Sequence, residues 1–275
     1  MEPRAWQINQ LINDVCRVTA LAIAQAGETK YKTQRNIMTG CGIQKVPCHV
    51  AIVMQGSVAW AKKNNVPIIE AYKKRFEVVT EILKAQGEIK IPVLTFYLLP
   101  KVNVDSAYIM EKIDSLSDFL ETLQKSEFIH KNGIKINVWG RWYDLPGRIV
   151  DNIKKVLEET KDYDTYFVNF CINYDGQDEV TDACKIIAKK VQVGKIDPEA
   201  ITKEMLNEEL YASFFLPPEL LIRTGTKPNL RGFLLWSTAY STIYFPEKLW
   251  PDFTKEDFIK AIEYYDMMEN KGKKD

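Results

Sequence analysis

The chain is poor in the residues that usually bind transition metals. It has two histidines in 275 residues, and its five cysteines (Cys16, Cys41, Cys48, Cys171, Cys184) show no Cys-x-x-Cys spacing. This disfavours a zinc site and leads us to expect reduced, buried thiols in a cytosolic protein. Neither sign of charge is in excess, because 37 Lys and Arg balance 37 Asp and Glu. The chain as a whole therefore has no electrostatic bias toward nucleic acid or acidic membranes. No secretory signal or membrane-spanning run is visible. The nearest candidate, Ala20 to Ala26, is too short to span a bilayer and has polar flanks.

Hydrophobic residues make up 46% and charged residues 27%, as in a soluble globular protein with a sizeable core. Residues 6–26 carry Ile8, Leu11, Ile12, Val15, Val18 and Leu21 at helical spacing. Two readings stand for this helix: it docks on its own domain, or it binds a membrane interface or a partner. Residues 27–45 are polar, with glycine near both ends, and suit a linker. The expected division is an N-terminal helix and linker over 1–45 and one domain over 46–275.

From Cys48 onward, strand and helix patterns alternate. His49 to Met54, Ile91 to Leu99, Ile134 to Trp139, Tyr166 to Ile172 and Leu220 to Ile222 are short apolar runs that suit strands buried on both faces. Helices are expected over 69–86, 109–124, 145–160 and 177–191, from Asp197-Pro198, and over 254–268 behind a Thr254 cap. Phe233 to Trp236 and Ile243 to Phe245 are read as two further short strands. Strands separated by such helices imply right-handed crossovers and a six-stranded, mainly parallel α/β sheet flanked by helices. Ligands of such sheets lie beyond the carboxyl ends of the strands. Attention falls on the loops 55–60, 100–105, 173–177 and 223–231. Arg223, a lone guanidinium ending a buried strand at that edge, reads as an anion binder. Gly56 and Trp60 are also readable as a tight strand-to-helix turn with an aromatic packed beneath it.

The residues in these loops resemble the cis-prenyltransferases, the family of undecaprenyl and dehydrodolichyl diphosphate synthases. The resemblance is carried by His49-Val50-Ala51-Ile52 with Met54, Gly56 and Trp60, by Leu94-Thr95 with Tyr97, and by Gly140 with Leu145-Pro146. It continues through Asn169, Asn173-Tyr174 and Gly176, then Leu221-Ile222-Arg223-Thr224, Phe233-Leu234-Leu235-Trp236, Ala239-Tyr240-Ser241, Tyr244-Phe245 and Leu249 to Phe253. Ile129 to Gly133 and Gly232-Phe233 look more like archaeal and eukaryotic members. The resemblance implies magnesium-dependent extension of an allylic diphosphate by isopentenyl diphosphate. It also implies an apolar tunnel between the sheet and the helices near 69–86 and 109–124, and a dimer formed through the C-terminal region.

The departures from the family pattern fall in the loops. The family's metal-binding Asp is Gln55, its Asn is Ser57 and its Arg is Ala59. A His in the next helix is Tyr72, and the Ser-Glu-Asn-Trp pattern is Lys101-Val102-Asn103-Val104. The Arg after Gly-Gly is Gln177. The Arg-Thr-Ser-Gly-Glu-x-Arg-x-Ser loop runs Arg223 to Arg231, with Asn229 at the second Arg and Arg231 at the Ser. The metal-binding Glu is Thr242. A glutamine can donate to a phosphate oxygen but brings no charge to a hard cation. The candidate substrate-binding residues are thus Gly56, Trp60, Asn103, Arg223 and Arg231. No residue is assigned to catalysis or metal, since Gln55 and Thr242 mark degenerate positions.

The resemblance is therefore to the degenerate subunit of a heteromeric cis-prenyltransferase, of the Nogo-B receptor type, in which a catalytic partner would hold Mg2+. Such partners commonly end in Arg-x-Gly, whereas this tail runs Glu269 to Asp275 with Lys271-Gly272 as its nearest approach. Expected partners are a catalytic subunit or a second copy, isoprenyl diphosphates and a peripheral membrane contact. Nucleic acid is not among them, and the expected location is cytoplasmic. Two other readings stay open. One is a stand-alone prenyl diphosphate transferase with metal-independent chemistry built on Gln55, Arg223, Lys227 and Arg231. The other is a polyprenyl-binding scaffold.

Overall fold

A computed structural model describes residue 43 and residues 45–102 and 108–271. The expected N-terminal helix, the linker except for residues 43 and 45, and Asn103 lie outside the described residues. The centre of the fold is β1 (His49–Val53), whose five residues are all buried. The other strands are β2 (Val93–Pro100), β3 (Ile134–Trp139), β4 (Tyr166–Tyr174), β5 (Leu220–Arg223) and β6 (Thr242–Tyr244). They form one sheet in the order β3-β4-β2-β1-β5-β6, and every pairing is parallel. The α/β expectation of a six-stranded sheet flanked by helices therefore holds.

Successive side chains of a strand point to opposite faces, so each central strand serves two cores. Val50 and Ile52 join the larger core, while Ala51 and Val53 join a smaller one with Tyr97, Cys171, Tyr174, Phe233 and Leu234. After β1 the chain forms α1 (Ser57–Asn64) and then α2 (Ile68–Ile89), which stops at Lys90 in the left-handed region, φ 61°. α3 (Ile109–Gln124) lies beside α2 on the larger core. Where the two helices meet, Phe76 stacks on Phe119 at 4.5 Å, and Phe119 meets Phe170 of β4 edge-on at 5.9 Å. These rings lie in the layer where the resemblance implies a tunnel.

Next come α4 (Glu127–Lys131), which the sequence patterns did not show, α5 (Gly147–Thr160) and α6 (Gly176–Gln192). Asp175 caps α6 by accepting from the amides of Gln177 at 2.8 Å and Asp178 at 3.3 Å. The helix expected from Asp197-Pro198 is only a three-residue 3-10 turn, followed by the short α7 (Lys203–Glu208). The chain closes with α8 (Lys255–Lys271).

Two readings need correction. Phe233 to Trp236 is not a strand; the chain turns repeatedly from 231 to 240, with positive φ at Arg231 (50°) and Leu234 (44°). Phe233 and Leu234 are apolar because this turning segment roofs the smaller core. The thiols are not uniformly buried either, since Cys171 is buried, Cys48 is intermediate and Cys184 is exposed. Of the C-terminal aromatics, Trp250 is wholly buried and donates Nε1–H to the Arg75 carbonyl at 2.9 Å, whereas Tyr240 stands fully exposed. Among the described residues, no helix is long and apolar enough to cross a membrane.

Candidate functional site

Three chain segments meet beyond the carboxyl ends of β1 and β5. The Gln55 amide donates to Thr224 Oγ1 at 3.0 Å, and the Thr224 amide donates to the Val53 carbonyl at 3.2 Å. The Trp250 amide donates to the Gln55 carbonyl, and the Gly225 amide to the Lys248 carbonyl, each at 2.8 Å. Gly56 turns the chain from strand into helix at φ 120°, where an added Cβ would lie 2.8 Å from Leu249 Cδ2. Gly225, at φ 96°, presses on Gln55 just as closely, since its Cβ would sit 2.9 Å from that residue's own. Only glycine satisfies both the backbone angle and the space. Trp60 donates Nε1–H to Asp252 Oδ1 at 2.6 Å. Gly56 thus sits at the strand-to-helix turn, and Trp60 lies in the first turns of α1.

Arg223 is 1% exposed and its guanidinium is engaged by its own loop. Its Nε donates to the Asn229 carbonyl at 2.8 Å, and an Nη donates to the Thr224 carbonyl. Burial, and then the charge of Arg231, lower its pKa. It shapes the loop that carries Lys227 and Arg231, both of which are exposed.

Two cations that the sequence reading passed over stand near this edge. Arg75 lies on the apolar face of α2, 5% exposed, and donates through Nη2 to the carbonyls of Tyr97 (3.2 Å) and Leu98 (2.5 Å). Burial pushes its pKa down to about 10, which still leaves it charged at neutral pH. Lys112, at the start of α3, lies 6.0 Å from the centroid of the Tyr72 ring. Burial, then Arg75, then Arg231 lower its pKa. One signal was available for Arg75: it breaks the apolar stripe formed by Tyr72, Phe76 and Val79.

Gln55 and Thr242, the positions where the resemblance has metal-binding carboxylates, do not converge within the chain. Thr242 pairs with Leu220, which pairs in turn with Val50, whereas Gln55 lies beyond Val53 at the opposite end of the strands. At ~3.3 Å per residue along a strand and ~4.8 Å between strands, they are separated by more than roughly 15 Å. Magnesium seeks carboxylate and phosphate oxygens in near-octahedral geometry. The donors here are the Gln55 amide and a remote Thr242 hydroxyl. Among the described residues, no three acidic, histidine or cysteine side chains group as ion ligands. Among the described residues, Gln55 and Thr242 bring no carboxylate oxygen to such an ion.

The family model described as putative undecaprenyl diphosphate synthase matches residues 53–272, and the chain belongs to that family. It is 36% identical to an isoprenyl transferase of Prochlorococcus marinus over 233 residues, 84% of this chain and 85% of that one. It is 35% identical to an isoprenyl transferase of Thermotoga maritima over 229 residues, 82% of this chain and 97% of the other. Its structure is similar to lavandulyl diphosphate synthase of Lavandula x intermedia, solved with dimethylallyl diphosphate. The TM-score is 0.75 at 25% identity, covering 80% of this chain and 95% of that one. It is also similar to a probable undecaprenyl diphosphate synthase of Campylobacter jejuni, with TM-score 0.65 and 25% identity over 80% and 94%. The two named sequence relatives are bacterial, so they lend no support to the archaeal and eukaryotic likeness.

Proposed function

We propose that this chain is the non-catalytic subunit of a heteromeric cis-prenyltransferase that makes polyprenyl diphosphates, with magnesium held by the catalytic partner. The observation that carries the reading is Gln55, a neutral amide on the β1-to-α1 turn where the family resemblance places a metal-binding carboxylate. Arg223 adds support, since its guanidinium is bound to the Asn229 and Thr224 carbonyls of its own loop. Exposed Tyr240 and Phe245 flank β6, an edge strand, and suit a partner of the same fold. Co-expression with an intact family member from the same genome tests the reading. A complex on a sizing column, with isopentenyl incorporation above that of the partner alone, is expected. No complex and unchanged partner activity would reject it.

A second reading keeps catalysis on this chain by altered chemistry. The names of its relatives favour it, since proteins 36% and 35% identical to this one are isoprenyl transferases. Turnover by the chain alone separates the two readings.

A further inference from the structure

We propose that Glu179, acting through Tyr174, is the positioning residue of a partner-docking surface built from two loops, 209–218 and 231–241. That the docked partner is a catalytic chain of the same fold rests on the subunit reading above; the positioning itself rests on the hydrogen bonds.

Glu179 lies in the first turn of α6, is 1% exposed, and forms no ion pair among the described residues. Burial pushes its pKa up, while the donors that surround it pull the other way. A carboxylate buried without a counter-charge is costly, and an apolar side chain of similar size often serves stability as well. What the carboxylate adds is direction, because it gathers donors from separate parts of the chain.

Its Oε1 accepts from the amides of Tyr211 at 3.0 Å and Ala212 at 3.4 Å, which fixes the 209–218 loop. Its Oε2 accepts from the Tyr174 hydroxyl, and that hydroxyl accepts in turn from the Leu234 amide at 3.2 Å. The Tyr174 ring stands edge-on to Tyr211 of one loop at 6.4 Å and to Phe233 of the other at 6.2 Å. Leu234 needs such a tie. Its φ of 44° lies in the left-handed region, uncommon for a leucine, and persists only where the surroundings over-determine it.

From these anchors both loops run to one place on the surface. In 231–241 the Leu234 carbonyl accepts from the Thr238 amide and hydroxyl, each at 2.9 Å, and the Thr238 carbonyl accepts from the Ser241 amide at 3.1 Å. In 209–218 the Leu216 carbonyl accepts from His49 Nδ1 at 2.7 Å. The loops join where the Ser241 hydroxyl donates to the Pro218 carbonyl at 2.5 Å. Beside that junction stand Tyr240, fully exposed, and Leu216, 64% exposed. The next residue, Thr242, opens β6, whose outer edge is unpaired in the sheet. The surface is therefore continuous with the edge that the subunit reading gives to the partner. Exposed apolar side chains on loops already held in place suit docking, since little order remains to be gained on binding.

Amide hydrogen exchange of the full chain, with co-purification of a catalytic family member from the same genome, tests this. Tyr174→Phe keeps the ring and removes only the hydroxyl. Exchange in 231–241 should rise roughly tenfold, the size of one lost hydrogen bond, while 209–218 and β3 stay as in the parent. Affinity for the partner should fall by a similar factor. Glu179→Leu should speed exchange in both loops, and Glu179→Gln, which keeps a carbonyl acceptor, should still protect 209–218. If Glu179→Leu does not fold, Tyr174→Phe carries the test alone. Unchanged exchange in 231–241, or a rise spread evenly over the sheet, would overturn the positioning role. A parent complex that Tyr174→Phe leaves at full strength would overturn the docking role and leave the subunit reading intact. A parent chain that forms no complex would reject the subunit reading, and this surface with it.

Discussion

Arg223 donates its Nε–H to the Asn229 carbonyl at 2.8 Å, closing the loop after β5 onto the strand that starts it. The guanidinium is buried and acts as an internal staple. Truncation would leave two carbonyls unmatched and loosen the loop. Arg223→Gln should lower unfolding stability by about 2–4 kcal/mol in a urea titration. An unchanged midpoint together with lost pyrophosphate binding would show instead that Arg223 is a ligand anchor.

The turn at Gly56 is set by both angle and space, because φ is 120° and the Leu249 backbone lies 3.0 Å from where a Cβ would be. Gly56→Ala should cost roughly 2–4 kcal/mol and lower the melting temperature by about 5–10 °C. Calorimetric scanning checks this, and a shift below ~2 °C would mean that the turn relaxes freely.

The sheet was legible because its strands are near-continuous apolar runs separated by helix-length periodic segments. Each of β1 to β5 falls within two residues of where the pattern put it. Phe233 to Trp236 misled because a turning segment that roofs a core is as apolar as a strand; the left-handed Arg231, Gly232 and Leu234 distinguish it. In the site, Gln55 and its neighbours could be read from loop position. The fate of Arg223 could not, since its acceptors are backbone carbonyls that no side-chain pattern encodes. Arg75 was missed for the same reason, and Thr242 was grouped with Gln55 because sequence spacing carries no sheet register.

His49 offers a pH test. It is buried, shares hydrogen bonds with the Leu216 carbonyl and Thr95 Oγ1, each at 2.7 Å, and burial pushes its pKa down to about 4. The unfolded chain, with its histidine near 6.5, binds the proton more readily than the folded one between pH 6.5 and 4. Stability should therefore be whole above pH 6.5, fall through that window, and be lower by about 3 kcal/mol near pH 4. Subtracting the pH profile of His49→Gln isolates this contribution. Parallel profiles for the two proteins would exclude His49 as the source.

The C-terminal aromatics should divide by role. Trp250→Ala, in the core, is expected to cost about 3–5 kcal/mol. Tyr240→Ser, fully exposed in the single chain, should leave the monomer's melting temperature unchanged. If the β6 rim meets the catalytic partner, Tyr240→Ser should weaken co-purification. A sizing-column elution unaffected by the change would place the partner elsewhere.

On the proposed subunit role, this chain keeps the prenyltransferase fold while Gln55 and Thr242 stand where the family pattern has carboxylates. Incorporation of labelled isopentenyl diphosphate into farnesyl diphosphate by the purified chain alone, with magnesium, tests it most directly. No turnover is expected, and none after Gln55→Asp, because Ala59 and Asn229 still stand where the family pattern has arginine and Thr242 where it has glutamate. Magnesium-dependent elongation at an ordinary enzymatic rate, on the order of 1 per second or faster, would contradict it.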